Sequence, residues 1–102
     1  MIVNAFSVNM LSIWHHSVDF TYLTQIQAQQ AAVGRASAVG HQDTANLFAA
    51  VLGVPVPCQR TTVKAGSGLT LLLGQYIGTR LPEGCSTLPE GAAIQWWLIT
   101  VQ

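Results

Sequence analysis

Charged side chains are scarce in this sequence. Four Lys or Arg and four Asp or Glu occur among 102 residues, so 8% of the chain is charged and the formal net charge is zero. A protein that holds long DNA or RNA presents a basic face, which displaces counterions from the phosphates. The composition therefore excludes a long nucleic acid as the partner. Any phosphate that the chain binds must be held by a few well-placed groups.

Long hydrophobic runs and abundant cysteine are also missing. No apolar run approaches the ~20 residues that a helix needs to span a bilayer, and no basic segment precedes the apolar start of the chain as it does in a signal peptide. We therefore expect a cytoplasmic protein without membrane association. The two cysteines, Cys58 and Cys85, lack C-x-x-C spacing. Two free thiols are the default interpretation, and a disulfide is the alternative.

The common catalytic signatures are absent as well. The sequence contains no Walker loop, no G-x-G-x-x-G, no G-x-S-x-G and no motif of paired carboxylates. His15 and His16 are neighbours, but adjacent side chains point to different faces of a strand or helix and seldom share an ion. A surface loop is the preferred interpretation of this pair. Neither a metal nor a cofactor is expected.

What is present is apolar. Half of the residues are hydrophobic, which is enough to build a modest core in a single domain covering residues 1–102. A surface with so little charge leaves apolar area that a second subunit could cover, and homodimerisation is the simplest expectation.

The apolar periodicity predicts an α/β (α+β) domain with a mixed sheet of about five strands and two main helices. Strands are predicted at residues 2–8, 18–23, 60–64, 69–77 and 94–101, and helices at about residues 24–33 and 44–52. Thr24 and Gln27 fit a capping box at the first helix. Asp43 or Thr44 could cap the second helix, and Gly53 occupies its C′ position.

The second helix is preceded by Gly40 and His41. Backbone N–H groups and the positive end of the helix dipole favour a phosphate or another anion at such a position. A glycine lets the backbone approach a ligand closely, and an imidazole can act as an acid or a base near neutral pH. The alternative is an ordinary loop histidine ahead of a helix.

Four segments together resemble one known pattern. They are N-A-F-S-V-N-M-L at residues 4–11, G-H-Q-D-T at residues 40–44, Arg60 ahead of T-V-K at residues 62–64, and R-L-P-E-G at residues 80–84. This pattern is similar to that of the small viral ring nucleases, a type III anti-CRISPR family, over nearly the whole chain. The resemblance implies a mixed sheet with helices, assembled as a homodimer. The dimer would enclose cyclic tetra-adenylate and linearise it without a metal.

The resemblance also implies roles for individual residues. His41 corresponds to the general acid of the family and Glu83 to its active-site glutamate, so these two are the candidate catalytic residues. The candidate ligand-binding residues are Ser7, Asn9, Gly40, Arg60 and Arg80. By pattern alone, Ser7 and Asn9 would be ordinary turn residues, and Arg80 and Glu83 would form an exposed ion pair of little energetic weight.

Two other classes of function remain open. A non-catalytic protein that sequesters a cyclic oligonucleotide would need the same pocket and arginines. A protein-interaction module would instead use the apolar surface, with His41 in a structural role. Release of unchanged ligand identifies the first class, and absence of ligand binding identifies the second.

Overall fold

The computed structural model of the chain describes residues 1–6, 10, 17–61, 63–64, 66, 68–79 and 87–102. The elements in chain order are β1 (Ile2–Val3), β2 (Val18–Leu23), α1 (Gln25–Ala32), α2 (Gln42–Leu52), β3 (Thr70–Ile77) and β4 (Ala93–Val101). The strands form one sheet in the order β1-β3-β4-β2. β1 runs parallel to β3, whereas β4 is antiparallel to both β3 and β2. The predicted α+β fold, with a mixed sheet and two helices, is confirmed.

Two of the strand predictions need correction. β1 ends at Val3, and residues 4–6 are not in a strand. The described residues of the 60–64 segment are also outside any strand. Val63 is buried in a core cluster, and the side chain of Arg60 bonds to the Gly40 carbonyl. Tertiary contacts of this kind override the β propensity of Thr and Val.

Residues 36–38 form an extended segment beside β1. The Ile2 amide donates to the Ala36 carbonyl at 2.8 Å, and the Ala38 amide donates to the Ile2 carbonyl at 2.9 Å. Ile2 and Ser37 form an isolated parallel bridge. Residues 36–38, β1 and β3 therefore run in the same direction at one side of the sheet.

Each face of the sheet has its own hydrophobic cluster, as the alternation of side chains along a strand requires. Leu72 and Trp96 face the helices and pack with Ala28 of α1 and Phe48 of α2. The opposite face is a second cluster of buried residues: Val3, Val63, Leu71, Ile99 and Val101. The helices thus cover one face only.

Gly74 lies where α2 comes closest to the sheet. The Phe48 and Trp96 rings meet edge to face with centroids 5.0 Å apart, and a Cβ atom on Gly74 would lie 2.5 Å from Trp96 and 2.6 Å from Phe48. Trp97 points to the other face, where its ring contacts Tyr22 at 5.0 Å. The two tryptophans therefore face opposite sides of the sheet, as the alternation of side chains along β4 requires.

The helix ends are set by local hydrogen bonds. The predicted capping box is confirmed, since the Gln27 amide donates to the Thr24 hydroxyl at 3.2 Å and the Thr24 amide donates to the Gln27 side chain at 2.9 Å. Gly53 ends α2 at φ 71°, and its N–H donates to the Ala49 carbonyl at 2.9 Å. Within the described part of the chain, neither helix has the length and apolarity that crossing a bilayer requires.

The N-cap prediction for α2 was wrong. The N-cap is His41 rather than Asp43 or Thr44, because the helical hydrogen bonds begin with the Ala45 amide donating to the His41 carbonyl at 2.9 Å. Asp43 lies inside the first turn, where a carboxylate interacts favourably with the helix dipole.

Candidate functional site

The candidate site lies at the carboxyl ends of the parallel segments. Residues 36–38 lead into Gly40 and His41, β1 leads into Asn4, and β3 leads into Gly78. Carboxyl ends of neighbouring parallel strands meet at one edge of a sheet, and ligands of open α/β sheets bind outside that edge. Three of the four chain segments that carry predicted site residues therefore leave the sheet at the same edge, and Arg60 lies on the fourth segment.

Three of the seven predicted site residues are in the described part of the chain, and they are neighbours: Gly40, His41 and Arg60. The other four, Ser7, Asn9, Arg80 and Glu83, lie outside the described residues, as do His15, His16 and Cys85. The structure therefore brings together one candidate acid, one cation and the glycine between them.

Arg60 is held against Gly40. Its Nε donates to the Gly40 carbonyl at 2.9 Å, and the adjacent Gln59 amide donates to the Val39 carbonyl at 2.9 Å. A Cβ atom on Gly40 would lie only 3.1 Å from Arg60 Cγ. The absence of a side chain at Gly40 thus leaves room for the aliphatic part of Arg60 next to the backbone that leads to His41. The guanidinium carries further N–H donors besides Nε, which suit a phosphate.

His41 has the backbone conformation of an N-cap residue, but its side chain does not cap the helix. Its φ and ψ are −125° and 125°, and its side chain makes no capping hydrogen bond. The imidazole is exposed. An N-cap Ser, Asp or Asn would use its side chain to satisfy a first-turn N–H. Here the imidazole stays outside the helix, beside N–H groups that point away from the helix towards a potential anion.

No metal centre is found among the described residues, which contain no group of three or more His, Cys, Asp or Glu side chains placed to hold an ion. Cys58 is a free, half-buried thiol. It packs against the core cluster on the helix side of the sheet. Its position is that of a small apolar side chain.

The face of the sheet opposite the helices carries exposed aromatic rings. Phe20 is 51% exposed and meets Phe6 edge to face, while Tyr22 is 58% exposed and meets Trp97. Among the described strands, β2 lies at the edge of the sheet, next to β4. Aromatic area of this kind on a weakly charged protein is suited to contact with another subunit.

The contact between Arg60 and Gly40 was not predicted from the sequence, although both residues were named. A strand at residues 60–64 was expected, and nothing in the local pattern links it to residues 39–40. The signal that points to it is the Pro55 and Pro57 pair, which keeps the preceding connector extended and allows Gln59 to bond to Val39.

Comparison with known proteins places this fold among viral proteins. The model of the STIV B116-like family matches residues 1–93. Among solved structures, B116 of Sulfolobus turreted icosahedral virus (STIV) matches with a TM-score of 0.83 and 25% sequence identity, covering 97% of this chain and 96% of that chain. A search of curated proteins finds no match.

Proposed function

The chain belongs to the STIV B116-like family, and on this premise we propose that it is a metal-independent ring nuclease that binds cyclic tetra-adenylate and linearises it. Destruction of this second messenger would switch off type III CRISPR signalling. The observation that carries the proposal is the cluster of Gly40, His41 and Arg60 at the start of α2. Its support from sequence is the resemblance of the four motif segments to the viral ring nucleases.

The reaction needs few groups. A ribose 2′-oxygen attacks the adjacent 3′-phosphate, the bond from phosphorus to the 5′-oxygen of the next nucleotide breaks, and a 2′,3′-cyclic phosphate forms. The departing 5′-oxygen takes up a proton, and the proton of the 2′-hydroxyl passes to a base or to water. His41 is the proposed donor to the 5′-oxygen, a role that typically contributes ~10²–10⁴ in rate.

Charge on the reacting phosphate needs stabilisation by preorganised donors. Arg60 and the first-turn N–H groups of α2 are the described donors beside His41. Arg80, Ser7 and Asn9 are proposed as further ligand contacts on the basis of the motif resemblance. Glu83 is proposed as the second catalytic residue on the same motif resemblance.

A homodimer suits this ligand. Cyclic tetra-adenylate has two-fold symmetry, so a two-fold dimer can present one His41 to each of two opposite phosphates. Two chains also double the number of arginines, which offsets the low charge of each chain. The exposed rings of Phe20 and Tyr22 offer apolar area that a second copy could cover.

The test is incubation of the protein with radiolabelled cyclic tetra-adenylate in excess EDTA, followed by separation of ring from linear products. Linear product in EDTA at the rate seen without chelator supports the proposal. Activity that EDTA abolishes and Mn²⁺ or Zn²⁺ restores would contradict a metal-independent mechanism. Bound but intact ring identifies a sequestering protein, and no binding identifies an interaction module.

A modified ring supplies the matched control for the chemistry. Cyclic tetra-adenylate with 2′-O-methyl riboses has the same phosphates and bases but no attacking hydroxyl. We expect it to bind and to remain intact. Its cleavage would show that water, rather than the ribose, is the nucleophile.

A further inference from the structure

A surface cavity of about 860 Å³, open to solvent, lies beside the segment that carries Arg60. One wall is formed by Met1 and residues 34–37, at the amino ends of β1 and of the parallel segment 36–38. The other wall is formed by residues of the connector at 54–61. Its walls include Val33, Arg35, Ser37, Val54, Pro57 and Thr61. Gly40, His41 and Arg60 do not line it. The volume is within the range of small-molecule sites, ~300–1,000 Å³.

Arg35 is the charged side chain of this cavity, and its hydrogen bonds go to uncharged acceptors. Its Nε donates to the Ala31 carbonyl at 2.7 Å, one terminal nitrogen donates to the Thr70 carbonyl at 3.0 Å, and the other donates to the Thr70 hydroxyl at 2.9 Å. A guanidinium has five N–H groups, so these bonds leave two of them for a ligand. The bonds also hold the guanidinium in one orientation.

The positive charge in the cavity is not neutralised by the described residues. The lining side chains include no carboxylate. Burial lowers the pKa of Arg35. The pKa of the Met1 α-amino group is lowered first by burial and then by the charge of Arg35. A partly buried cation without a carboxylate partner gains strongly from an anion that replaces lost hydration.

We propose that this cavity binds a small organic anion, namely a compact apolar body that carries one phosphate or carboxylate group. The anionic group accepts hydrogen bonds from Arg35, and the apolar body lies against Val33, Val54 and Pro57. Gln59 and Thr61 offer additional polar groups along the connector. The site is separate from the one proposed for the cyclic nucleotide.

The test uses phenyl phosphate and benzoate as probes, with benzyl alcohol as the neutral control, measured by calorimetry and by amide NMR shifts. Binding of either anion should be at least about tenfold tighter than that of benzyl alcohol, with shifts at residues 33–37 and 54–61. Arg35→Gln should weaken the binding of the anion by about tenfold or more. Equal binding of the anions and the alcohol, or no binding of either anion, would overturn the proposal.

Two further variants keep the test decisive, because Arg35 also connects α1 to β3. Ala36→Phe keeps the guanidinium but fills the cavity from an exposed lining position, so anion binding should be lost in a folded protein. Arg60→Gln removes a guanidinium outside the cavity and should leave the affinity unchanged. Loss in Arg60→Gln with retention in Ala36→Phe would place the anion at the His41 site and overturn the inference. None of these measurements requires cleavage of a cyclic nucleotide, so failure of the nuclease proposal would be seen separately.

Discussion

Arg60 Nε donates a 2.9 Å hydrogen bond to the carbonyl oxygen of Gly40, which joins two residues 20 positions apart in the chain. The bond fixes a permanent positive charge immediately before the N-terminus of α2. A donor that carries a charge forms a stronger bond than a neutral one, so the position of the guanidinium is well defined. The close approach of Arg60 is possible because Gly40 has no Cβ atom, which would otherwise lie 3.1 Å from Arg60 Cγ.

Gly40→Ala should therefore weaken ring binding more than it affects the fold. The new Cβ atom would lie 3.1 Å from Arg60 Cγ, so the arginine side chain must shift by a few tenths of an ångström from its present position. A displaced Arg60 would lose about one hydrogen bond to the ring, about 0.5–1.5 kcal/mol, which corresponds to a roughly 2- to 13-fold loss of affinity for cyclic tetra-adenylate, measured by calorimetry. Full affinity in Gly40→Ala would mean that the position of Arg60 does not matter to the ligand.

His41→Asn should separate the stability of α2 from catalysis. Asparagine is a favoured N-cap, and the side chain of His41 makes no capping bond. The variant should therefore unfold at a higher urea concentration, with an unfolding free energy larger by about 0.5–1 kcal/mol. Asparagine cannot donate the proton of a general acid, so single-turnover cleavage should fall by ~10²–10⁴ while ring binding is retained. A stabilised variant that cleaves at the wild-type rate would remove His41 from the mechanism.

Gly74→Ala should lower the unfolding free energy of the protein, whether or not a ligand is bound. Its Cβ atom would lie within 2.6 Å of both Phe48 and Trp96, which are buried, and overpacking of this kind costs about 1–3 kcal/mol in unfolding free energy. Gln75→Ala, at the exposed neighbouring position, is the control and should change it by less than about 0.5 kcal/mol. Adding Phe48→Leu to Gly74→Ala should cost less than the sum of the single changes.

Mixed dimers test the proposed two-fold arrangement. A dimer with one wild-type subunit and one His41→Ala subunit should cut the ring at one position, so a linear tetramer accumulates before any dinucleotide. Wild-type dimers should cut both opposite phosphates. Light scattering that shows a monomer cleaving at the full rate would exclude a shared chamber.

The elements that the sequence by itself determined are those defined by near neighbours. The capping box of Thr24 and Gln27 depends on two residues one helical turn apart, and Gly53 ends α2 because glycine adopts positive φ without a steric penalty. β3 and β4 were predicted to within one residue at their ends, because each is a long apolar run between turn residues. The motif segments also supplied the seven site residues, and the roles of all seven remain predictions.

Only the tertiary structure decided which distant residues meet. Residues 36–38 flank β1, since Ile2 bonds to Ala36 and Ala38. Arg60 reaches Gly40 from 20 residues away, and Arg35 reaches Thr70 from 35 residues away. The local sequence around an arginine or a β-branched residue is the same whichever distant residue it contacts, so it does not reveal the partner. These partners are chosen by the packing of the whole chain, where a buried donor must find an acceptor that short-range sequence does not specify.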